Sequence, residues 1–397
     1  MNALEKVVEE LLDFYGFYDE IRDYENIYIY GNGNVGKFIW NWLIKKKLDS
    51  KVRCFFVTEI PNLEAYPPVK LINKNDLLQQ SVILLAATKK NRMEMIDECK
   101  KRDITNYIEI TVFDNRDYDY YEALPINFYP LELKYWYTYT TGEELNLDNP
   151  VSFNEKINWM KLYDRNPVKT ELADKLLVRE YVKKCVGDRY VIPLLGVWDK
   201  FDDIDFEQLP KRFVLKCNHG SGWNLIVKDK EKLDIKDIRV KMNKWMDTNY
   251  AFVSGFELQY KDIQPKIIAE KYLENNDGKD LVDYKIHCFN GAPKIIQLIG
   301  ERDLDNHCAK EAFFDVEWNP IRVMQHTYNM YDKCPEKPIN LCEMLLVAAD
   351  LSKNFNYVRV DLYDCDRKVY FGEMTFTPAS GIGKWGRGES LWSDYIE

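Results

Sequence analysis

The residues best placed to do chemistry flank a predicted turn near the carboxyl end of the chain, at residues 366–368. If these residues form the turn of a hairpin, Asp361 stands opposite Glu373 and Arg359 opposite Thr375, all on one face of a sheet. Facing carboxylates repel each other unless a cation lies between them. Mg²⁺ prefers oxygen ligands and commonly binds one or two carboxylates together with substrate phosphates, so the pattern predicts a magnesium site. A solvated hairpin face is the alternative, because the sequence does not show which face is buried.

A second chemical pattern joins a lysine to a glycine-containing turn. Lys216 ends a predicted strand, and Gly220, Ser221 and Gly222 follow before a further strand reaches Lys228. Backbone N–H groups in such a turn can hold an anion while the lysine adds a point charge, so the pattern indicates a phosphate site. The segment lacks the GxxxxGK[ST] spacing of a P-loop. A hairpin that ends in a solvated lysine explains the same residues.

Residues 266–273 are predicted to form another strand, and the polar pair Glu270 and Lys271 falls where its apolar run ends. A nucleotide base could hydrogen-bond there, although a strand-end ion pair is the commoner arrangement. Farther along, residues 283–291 and 294–299 read as two strands joined at Asn290 and Gly291, the strongest hairpin signal.

Helices are predicted to precede these strands. Ser152 and Glu155 have the spacing of a capping box, which predicts a helix starting there. Apolar residues between Leu172 and Cys185 then recur at helical spacing and predict one continuous helix that ends at Gly187. At the other end of the chain, the glycine-rich residues 381–388 suggest either a mobile lid or a disordered terminus.

The amino-terminal third shows a strand, a glycine turn and a helix. Gly31, Gly33 and Gly36 follow a strand at residues 27–30, and Glu59 follows the next strand at 52–57. This GxGxxG spacing can aim helix N–H groups at a phosphate, with Glu59 near a ribose. Only about four parallel strands are predicted here, so a dinucleotide site, a sugar-nucleotide site and a glycine turn kept for packing all remain open.

Composition narrows the classes of function. The chain has 397 residues and a formal net charge of −10, which disfavours nucleic-acid partners because no basic field attracts phosphate. A membrane span and a signal peptide are not expected, since no apolar stretch approaches the required length and the first residues lack a basic region and an apolar core. The nine cysteines show no CxxC pair and are predicted to be free thiols in a cytoplasmic protein. Domain limits are predicted at 1–116, 117–150 as an aromatic connector, and 151–397.

Taken in order, these motifs resemble those of the ATP-grasp superfamily. The resemblance extends over about residues 150–381 and is greatest to its teichuronopeptide-biosynthesis branch, called TupA-like. The motifs that carry it are Ser152 to Lys156, Asp174 with Lys175, Lys216 with the Gly220–Gly222 turn, Glu270 to Leu273, Asp283 with Lys285, Arg359 with Asp361, and Glu373 with Thr375. The region before residue 117 resembles the small Rossmann-like modules attached to bacterial polysaccharide-biosynthesis enzymes.

The resemblance implies an α/β Rossmann-like module followed by an α+β ATP-grasp domain, with ATP between two lobes of antiparallel sheet. It also implies a ligase in which a carboxylate attacks the γ-phosphate of ATP and an amine captures the acyl phosphate as an amide. Arg359, Lys216 and Lys285 would be catalytic, and Asp361, Glu373 and Thr375 would hold magnesium. The implied ATP-binding residues are Lys175, Lys216, Asn218, Gly220, Ser221, Gly222, Glu270, Lys271 and Leu273. Many ATP-grasp enzymes have asparagine where this chain has Thr375, which leaves open whether one metal ion binds or two.

The sequence therefore predicts a magnesium- and ATP-dependent enzyme that joins a small amine to the carboxylate of a uronic or related sugar acid during capsule or cell-surface polysaccharide synthesis. A glycosyltransferase that uses a sugar nucleotide is the second hypothesis. A noncatalytic nucleotide-binding scaffold is the third.

Overall fold

The computed structural model describes residues 2–58, 67–114, 116–276, 281–303, 308–322, 328–386 and 388–396. Two compact units form, one from Met1–Arg116 with Lys134–Glu144, the other from Asp117–Leu133 with Leu145–Glu397. The domain limits given above stay a prediction. Within the described residues, no helix is both long enough and apolar enough to cross a membrane.

The first unit is built on a parallel five-stranded sheet with the strand order β3-β2-β1-β4-β5. Four of these strands match the predicted ones, and the short β3 was not predicted. Its buried strands read as continuous apolar runs, as expected for a sheet covered on both faces. The elements are α1 (Ala3–Phe14), α2 (Phe17–Ile21), β1 (Asn26–Tyr30), α3 (Asn34–Lys45), β2 (Val52–Val57), β3 (Val69–Leu71), β4 (Ser81–Leu85), α4 (Lys89–Lys101) and β5 (Tyr107–Glu109).

Two helices, α5 (Tyr118–Glu122) and α6 (Tyr129–Thr141), follow, and the second unit then adds two further sheets. A four-stranded antiparallel sheet has the order β6-β9-β7-β8, and a six-stranded sheet the order β13-β12-β11-β10-β14-β15. All pairs in the larger sheet are antiparallel except β12 with β13. The predicted fold class, parallel sheet first and antiparallel sheets afterwards, is confirmed. The elements are α7 (Phe153–Tyr163), α8 (Val168–Ala173), α9 (Val178–Cys185), β6 (Leu194–Trp198), β7 (Phe213–Cys217), β8 (Asn224–Val227), α10 (Ile235–Met246), β9 (Ile267–Lys271), β10 (Val282–Phe289), β11 (Ala292–Asp303), β12 (Cys308–Asp315), β13 (Asn329–Met330), α11 (Leu341–Ser352), β14 (Tyr357–Cys365), β15 (Lys368–Thr375) and α12 (Gly388–Ser393).

The core of the six-stranded sheet decides which way its polar side chains point. Val358, Val360 and Leu362 of β14 are buried in one cluster with Met344 and Ala348 of α11. Because side chains alternate along a strand, the intervening residues of β14 face the opposite side. That side is the one with the charged residues, so the solvated-hairpin alternative does not hold for Asp361, which is 2 % exposed.

The predicted hairpin register is confirmed, but the predicted turn is wrong. Cys365 pairs with Lys368, so the turn has only the two residues Asp366 and Arg367, both with positive φ. The register then shifts by one residue at Gly372, which is a β-bulge. The turn is one residue shorter than predicted and the bulge adds one residue, so the two differences cancel in the register. Asp361 therefore pairs with Glu373 and Arg359 with Thr375, as predicted. At the other predicted hairpin, Asn290 and Gly291 have positive φ, as this two-residue turn requires.

The continuous helix predicted to end at Gly187 is interrupted. A carboxylate oxygen of Asp174 accepts hydrogen bonds from the backbone N–H groups of Leu176 at 2.7 Å and Leu177 at 3.3 Å. This side chain competes with the helical backbone pattern, so α8 ends at Ala173 and α9 begins at Val178. Lys175 is therefore on the connection between the helices.

The carboxyl-terminal residues pack against α7, contrary to the predicted lid or disordered terminus. Trp385 and Trp392 are 6 % and 0 % exposed and contact Phe153 edge-on. The Asn154 side chain donates to the Gly383 carbonyl at 2.8 Å and accepts from the indole N–H of Trp385 at 3.1 Å. These aromatic anchors outweigh the flexibility of the glycines.

Candidate active site

A cavity of about 570 Å³ in the second unit is lined by residues of both antiparallel sheets. It brings together most of the predicted site residues, although they are far apart in sequence. Asn218, Gly220 and Thr375 lie just outside its lining. The predicted residues that line it are Lys175, Lys216, Ser221, Gly222, Glu270, Lys271, Leu273, Lys285, Arg359, Asp361 and Glu373.

Arg359 and Asp361 form a bidentate ion pair at the base of this cavity. Nε and Nη2 of Arg359 donate to the two carboxylate oxygens of Asp361 at 2.7 and 2.8 Å. The same Nη2 lies 3.1 Å from the hydroxyl of Thr375 and 3.4 Å from Oε1 of Glu373. Burial acts to lower the pKa of the guanidinium, but the charge and the hydrogen bonds of Asp361 together with the charge of Glu373 outweigh it and raise the pKa. Arg359 thus stays charged beside all three predicted metal ligands.

Lys285 approaches Asp361 from the neighbouring strand. It lies directly across from Asp361 in the β10–β14 register, and its Nζ is 2.5 Å from Oδ2 of that residue. Asp283 lies two residues before Lys285 on the same face of β10. Its carboxylate is 3.6 Å from the same Nζ and also pairs with Arg302. The buried carboxylates of Asp283 and Asp361 are therefore each next to a cation. This pairing offsets part of the desolvation free energy of burying the charges.

Glu270 lies between two cations and is not free to contact a base through its carboxylate. One oxygen accepts from Arg179 at 2.8 Å and the other from Lys216 at 2.5 Å, and the Glu270 side chain is 8 % exposed. Arg179 also donates to the Ile192 carbonyl at 2.6 Å. The structure therefore places Glu270 where it orients Lys216, and leaves Lys271 and Leu273 at the edge of the cavity.

Of the remaining residues that are predicted to bind the ATP phosphates, Lys175 lines the cavity and Asn218 does not. The Lys175 ammonium donates to the Gly220 carbonyl and lies 3.9 Å from Glu373. Burial lowers the pKa of Lys175, against the attraction of Glu373. Asn218 is 1 % exposed and donates to Asp174 at 2.9 Å and to the Gln264 carbonyl at 3.0 Å, so it braces the loop.

Gly220 is needed for close packing in this loop. A Cβ there would come within 2.5 Å of the Trp223 ring and 2.7 Å of the Tyr250 ring. Gly222 has a φ of +72° and open space around it. The loop therefore turns sharply at Gly222, while Ser221 and Gly222 line the cavity.

Two glycines of the amino-terminal turn are required by close packing. A Cβ on Gly36 would lie 1.9 Å from the Gly31 carbonyl oxygen, and one on Gly31 would lie 2.5 Å from the Ala86 carbonyl oxygen. Around Gly33 there is open space. Glu59 lies outside the described residues. A nucleotide site in this unit stays a prediction, and the packing alternative accounts for two of its glycines.

A buried histidine behind Arg359 was not predicted to matter. His287 is fully buried, with one ring nitrogen 2.8 Å from the Tyr357 hydroxyl and the other 3.3 Å from Gln297. Burial, reinforced by the Arg359 charge, lowers the pKa of His287 to about 3.

This histidine predicts acid sensitivity. The unfolded chain protonates it near pH 6.5 but the folded chain only near pH 3, so its contribution to stability is present above pH 6.5 and is lost as pH falls through that window. The free energy of unfolding should fall by up to about 1.4 kcal/mol per pH unit more in the wild type than in His287→Gln. Denaturant unfolding at pH 7, 6, 5 and 4 measures the difference, and parallel curves would contradict it.

The sequence model of the TupA-like ATP-grasp family matches residues 155–387, the span that supplies every residue in the lining of this cavity. This match covers more than half of the chain. The chain belongs to the TupA-like ATP-grasp family. It is an ATP-dependent ligase, and ATP is its cofactor.

No curated protein matches the sequence. Among solved structures, the D-alanine–D-alanine ligase of Bacillus anthracis is 14% identical over 90% of this chain and 87% of that chain, with a TM-score of 0.32. The ATP-grasp ligase PsnB with its minimal precursor is 10% identical over 94% and 97%, with a TM-score of 0.31. The RimK domain ATP-grasp protein of Sphaerobacter thermophilus is 8% identical over 94% and 99%, with a TM-score of 0.32. TM-scores this low support no further conclusion about this chain.

The donor set of this ATP-grasp chain fits magnesium held jointly with a nucleotide. Among the described residues, no cluster of three or more His, Cys, Asp or Glu side chains is arranged to hold a metal by itself. Asp361 and Glu373 are nevertheless paired in register on the cavity face. One or two carboxylates plus phosphate oxygens is the usual Mg²⁺ arrangement. Thr375 is behind them, 3.3 Å from Glu373 and 3.1 Å from Arg359.

The sequence analysis did not identify the residues that contact and orient the predicted ATP- and metal-binding side chains of this ATP-grasp site. Arg179 was read only as part of a helix, and Arg302 and Tyr363 were not singled out, yet the latter two line the cavity. The signal for Arg179 was weak, because an exposed-looking arginine on a short helix gives no sign of a buried partner 91 residues away. Only the fold brings it to Glu270.

If Arg179 positions Glu270 and thereby Lys216, Arg179→Met should weaken ATP binding about tenfold, or ~1.4 kcal/mol, since Lys216 loses its fixed partner. Calorimetric titration with ATP measures the change without requiring the other substrates. Arg189→Met, at a side chain that is 72% exposed, is the matched control. An unchanged Kd in a folded Arg179→Met protein would show that Lys216 does not depend on this chain of charges.

Proposed function

We propose that this enzyme forms an amide between a small amine and the carboxylate of a uronic or related sugar acid, in the assembly of a capsular or other cell-surface polysaccharide. The observation that carries the proposal is the charge arrangement of one cavity. Lys175, Lys216, Lys285 and Arg359 line it together with the register pair of Asp361 and Glu373. The family supports ligation, and the sugar acid is inferred from the resemblance to the TupA-like branch.

The lysines of the cavity would bind the phosphates of ATP. Lys216 is held by Glu270, and Lys175 is held by the Gly220 carbonyl, so both ammonium groups are oriented before the nucleotide arrives. Preorganised cations stabilise charge without reorganising during the reaction. The Ser221–Gly222 turn would close over the same phosphates, and the strand end at Lys271 and Leu273 would line the adenine pocket.

Asp361 and Glu373 would hold Mg²⁺, which when bound neutralises phosphate charge during phosphoryl transfer. Arg359 and Lys285 already contact Asp361, so they lie beside the position where negative charge develops. We expect Arg359 to stabilise the transferring phosphoryl group and then the tetrahedral oxyanion, and Lys285 to orient the attacking carboxylate.

The reaction balances without an oxidant or reductant. A carboxylate oxygen attacks the γ-phosphorus, the bond from that phosphorus to the β-phosphate oxygen breaks, and ADP leaves. The amine then attacks the acyl carbon, the carbon–oxygen bond to phosphate breaks, and the amine loses a proton. The products are an amide, ADP and phosphate.

Product analysis tests the substrate class. We expect ADP and phosphate to appear only when ATP, a sugar acid and an amine are all present, across a panel of uronic acids and small amines. A glycosyltransferase would instead release a nucleoside diphosphate from a sugar nucleotide in the absence of ATP. ADP release that needs an amine and an acid other than a sugar acid would retain ligation and reject the sugar-acid assignment.

A further inference from the structure

A second cavity of about 280 Å³ lies beside the segment that follows β15. Thr377 lines it, and this residue continues the alternation of Glu373 and Thr375 beyond the strand end. Four residues of chain reach at most about 14 Å, so the cavity is within that distance of Glu373 along the backbone. Among the described residues, none lines both cavities.

The lining of the second cavity is cationic. Arg165, Lys169 and Lys261 outnumber Asp164 and Asp262, although the whole chain carries a net charge of −10. These cationic side chains differ in whether their contacts are with a carboxylate or with a neutral group. Lys169 pairs with Asp164 at 2.5 Å, whereas Lys261 lies 3.3 Å from the Tyr129 hydroxyl and Arg165 donates through Nε to the Leu162 carbonyl. Neither contact neutralises the charge of Lys261 or Arg165, because the hydroxyl and the carbonyl are both uncharged.

Aromatic rings form the apolar part of the wall. Tyr129 and Phe376 both line the cavity, with the Lys261 ammonium 5.6 Å from the Tyr129 ring and the Lys169 ammonium 5.3 Å from the Phe376 ring. Small-molecule binding sites are usually lined by apolar and aromatic side chains with a few charged or polar groups. A sugar acid has the matching chemistry, because its ring offers apolar C–H faces and its carboxylate a single negative charge.

One side of the cavity is rigidly built. Glu257 is 4 % exposed and accepts hydrogen bonds from the hydroxyls of Thr377 and Ser380, and Gln259 donates to Thr377 at 2.7 Å. Lys161 donates to the Ser380 and Gly255 carbonyls at 2.7 Å each. These contacts hold Ser380 at a φ of +51°, a conformation that L-residues rarely adopt. Strained backbone kept in place by a buried network is characteristic of binding sites.

We propose that this cavity binds the anionic sugar unit of the carboxylate substrate, with Lys261 and Arg165 contacting its negative charge. The inference rests on the proposed function for the identity of the substrate. The bound unit is a sugar that adjoins the reacting one, because the reacting carboxylate lies beside Lys285 in the first cavity, and a longer glycan would reach from this cavity to the phosphates.

Binding of D-glucuronate, D-galacturonate and a short oligogalacturonate, measured by saturation-transfer NMR on the full chain with ADP and Mg²⁺, tests the site. D-Glucose is the neutral probe. We expect at least one acid to bind and D-glucose not to bind, and we expect Lys261→Met and Arg165→Met each to weaken binding about tenfold. Lys184→Met, at an exposed lysine on α9, is the matched control and should bind as the wild type does.

Equal affinity of the acids for the wild type and for both cavity variants would overturn the inference, and so would failure of every acid to bind. The two proposals fail differently. If the oligogalacturonate and an amine drive ADP release but neither cavity variant changes the KM for the oligogalacturonate, the cavity assignment is wrong and the ligase stands. If the acids bind in a Lys261-dependent way but no sugar acid supports ADP release, the cavity binds an anion and the proposed substrate is wrong.

Discussion

Replacing Asp361 by asparagine is expected to lower kcat for ADP release about 10³-fold, or ~4 kcal/mol of transition-state stabilisation. Asp361 is 2 % exposed, pairs in register with Glu373, and is contacted by both Arg359 and Lys285. The substitution removes a negative charge from this set and halves the carboxylate ligands available for Mg²⁺. Steady-state ADP release at saturating Mg²⁺ measures the loss.

Asp188→Asn is the control, because the Asp188 side chain is 85% exposed and does not line the cavity. Circular dichroism and a melting curve establish that Asp361→Asn is folded, since the change leaves buried cations with less compensation. ADP release at the wild-type rate in folded Asp361→Asn would contradict the metal assignment. Tight ATP binding in a wild type that has no turnover with any acid and amine would favour the noncatalytic scaffold.

Arg359→Lys is expected to lower kcat about 10²-fold while changing the Kd for ATP less than threefold. Arginine grips both oxygens of Asp361 and also reaches Thr375 and Glu373, which requires a planar fork of donors. Lysine keeps the positive charge but has a single ammonium in place of a planar fork of donors. The substitution should therefore reduce transition-state stabilisation more than it reduces ATP binding in the ground state. Comparing kcat with calorimetric ATP binding separates the two effects.

The matched control is Arg239→Lys, at a side chain that is 52% exposed. A tenfold or greater loss of ATP affinity together with an unchanged kcat in Arg359→Lys would assign this arginine to nucleotide binding alone. An unfolded variant would be replaced by Thr375→Val, which removes one acceptor of the Arg359 fork and should lower kcat in the same direction.

The strand pairs of the site were predictable because hairpins are local. The alternation of Arg359 and Asp361 with Glu373 and Thr375 fixes their common face once the register is known. The register itself came out right through two compensating differences, a two-residue turn in place of three and a bulge at Gly372. A glycine inside a strand is a signal for such a bulge, so the sequence held this information as well.

The charge partners were not predictable, because they join residues far apart in the chain. Glu270 was expected in the adenine pocket on its position at a strand end, and the structure gives its carboxylate to Arg179 and Lys216. Asn218 was predicted to bind ATP, which stays a prediction, and its side chain donates to Asp174 and to the Gln264 carbonyl. Buried polar groups take whatever partner the fold supplies, and that partner cannot be read from local spacing.

The carboxyl-terminal tail shows the limit of composition. Its glycines indicated mobility, but Trp385 and Trp392 fix it against Phe153 of α7. Burying large aromatic rings contributes more free energy than glycine flexibility costs. The second cavity was also out of reach, since its walls come from residues as distant as Tyr129 and Phe376.

Transfer of the γ-phosphoryl group of ATP to a carboxylate oxygen is tested most directly by isotope transfer. The acid that supports ADP release is prepared with ¹⁸O in its carboxylate and incubated with the enzyme, ATP, Mg²⁺ and the amine. Mass spectrometry of the released phosphate should then find one ¹⁸O per phosphate, because the acyl phosphate keeps the substrate oxygen when the amine displaces it. Phosphate without the label, formed alongside the amide, would contradict the acyl-phosphate mechanism.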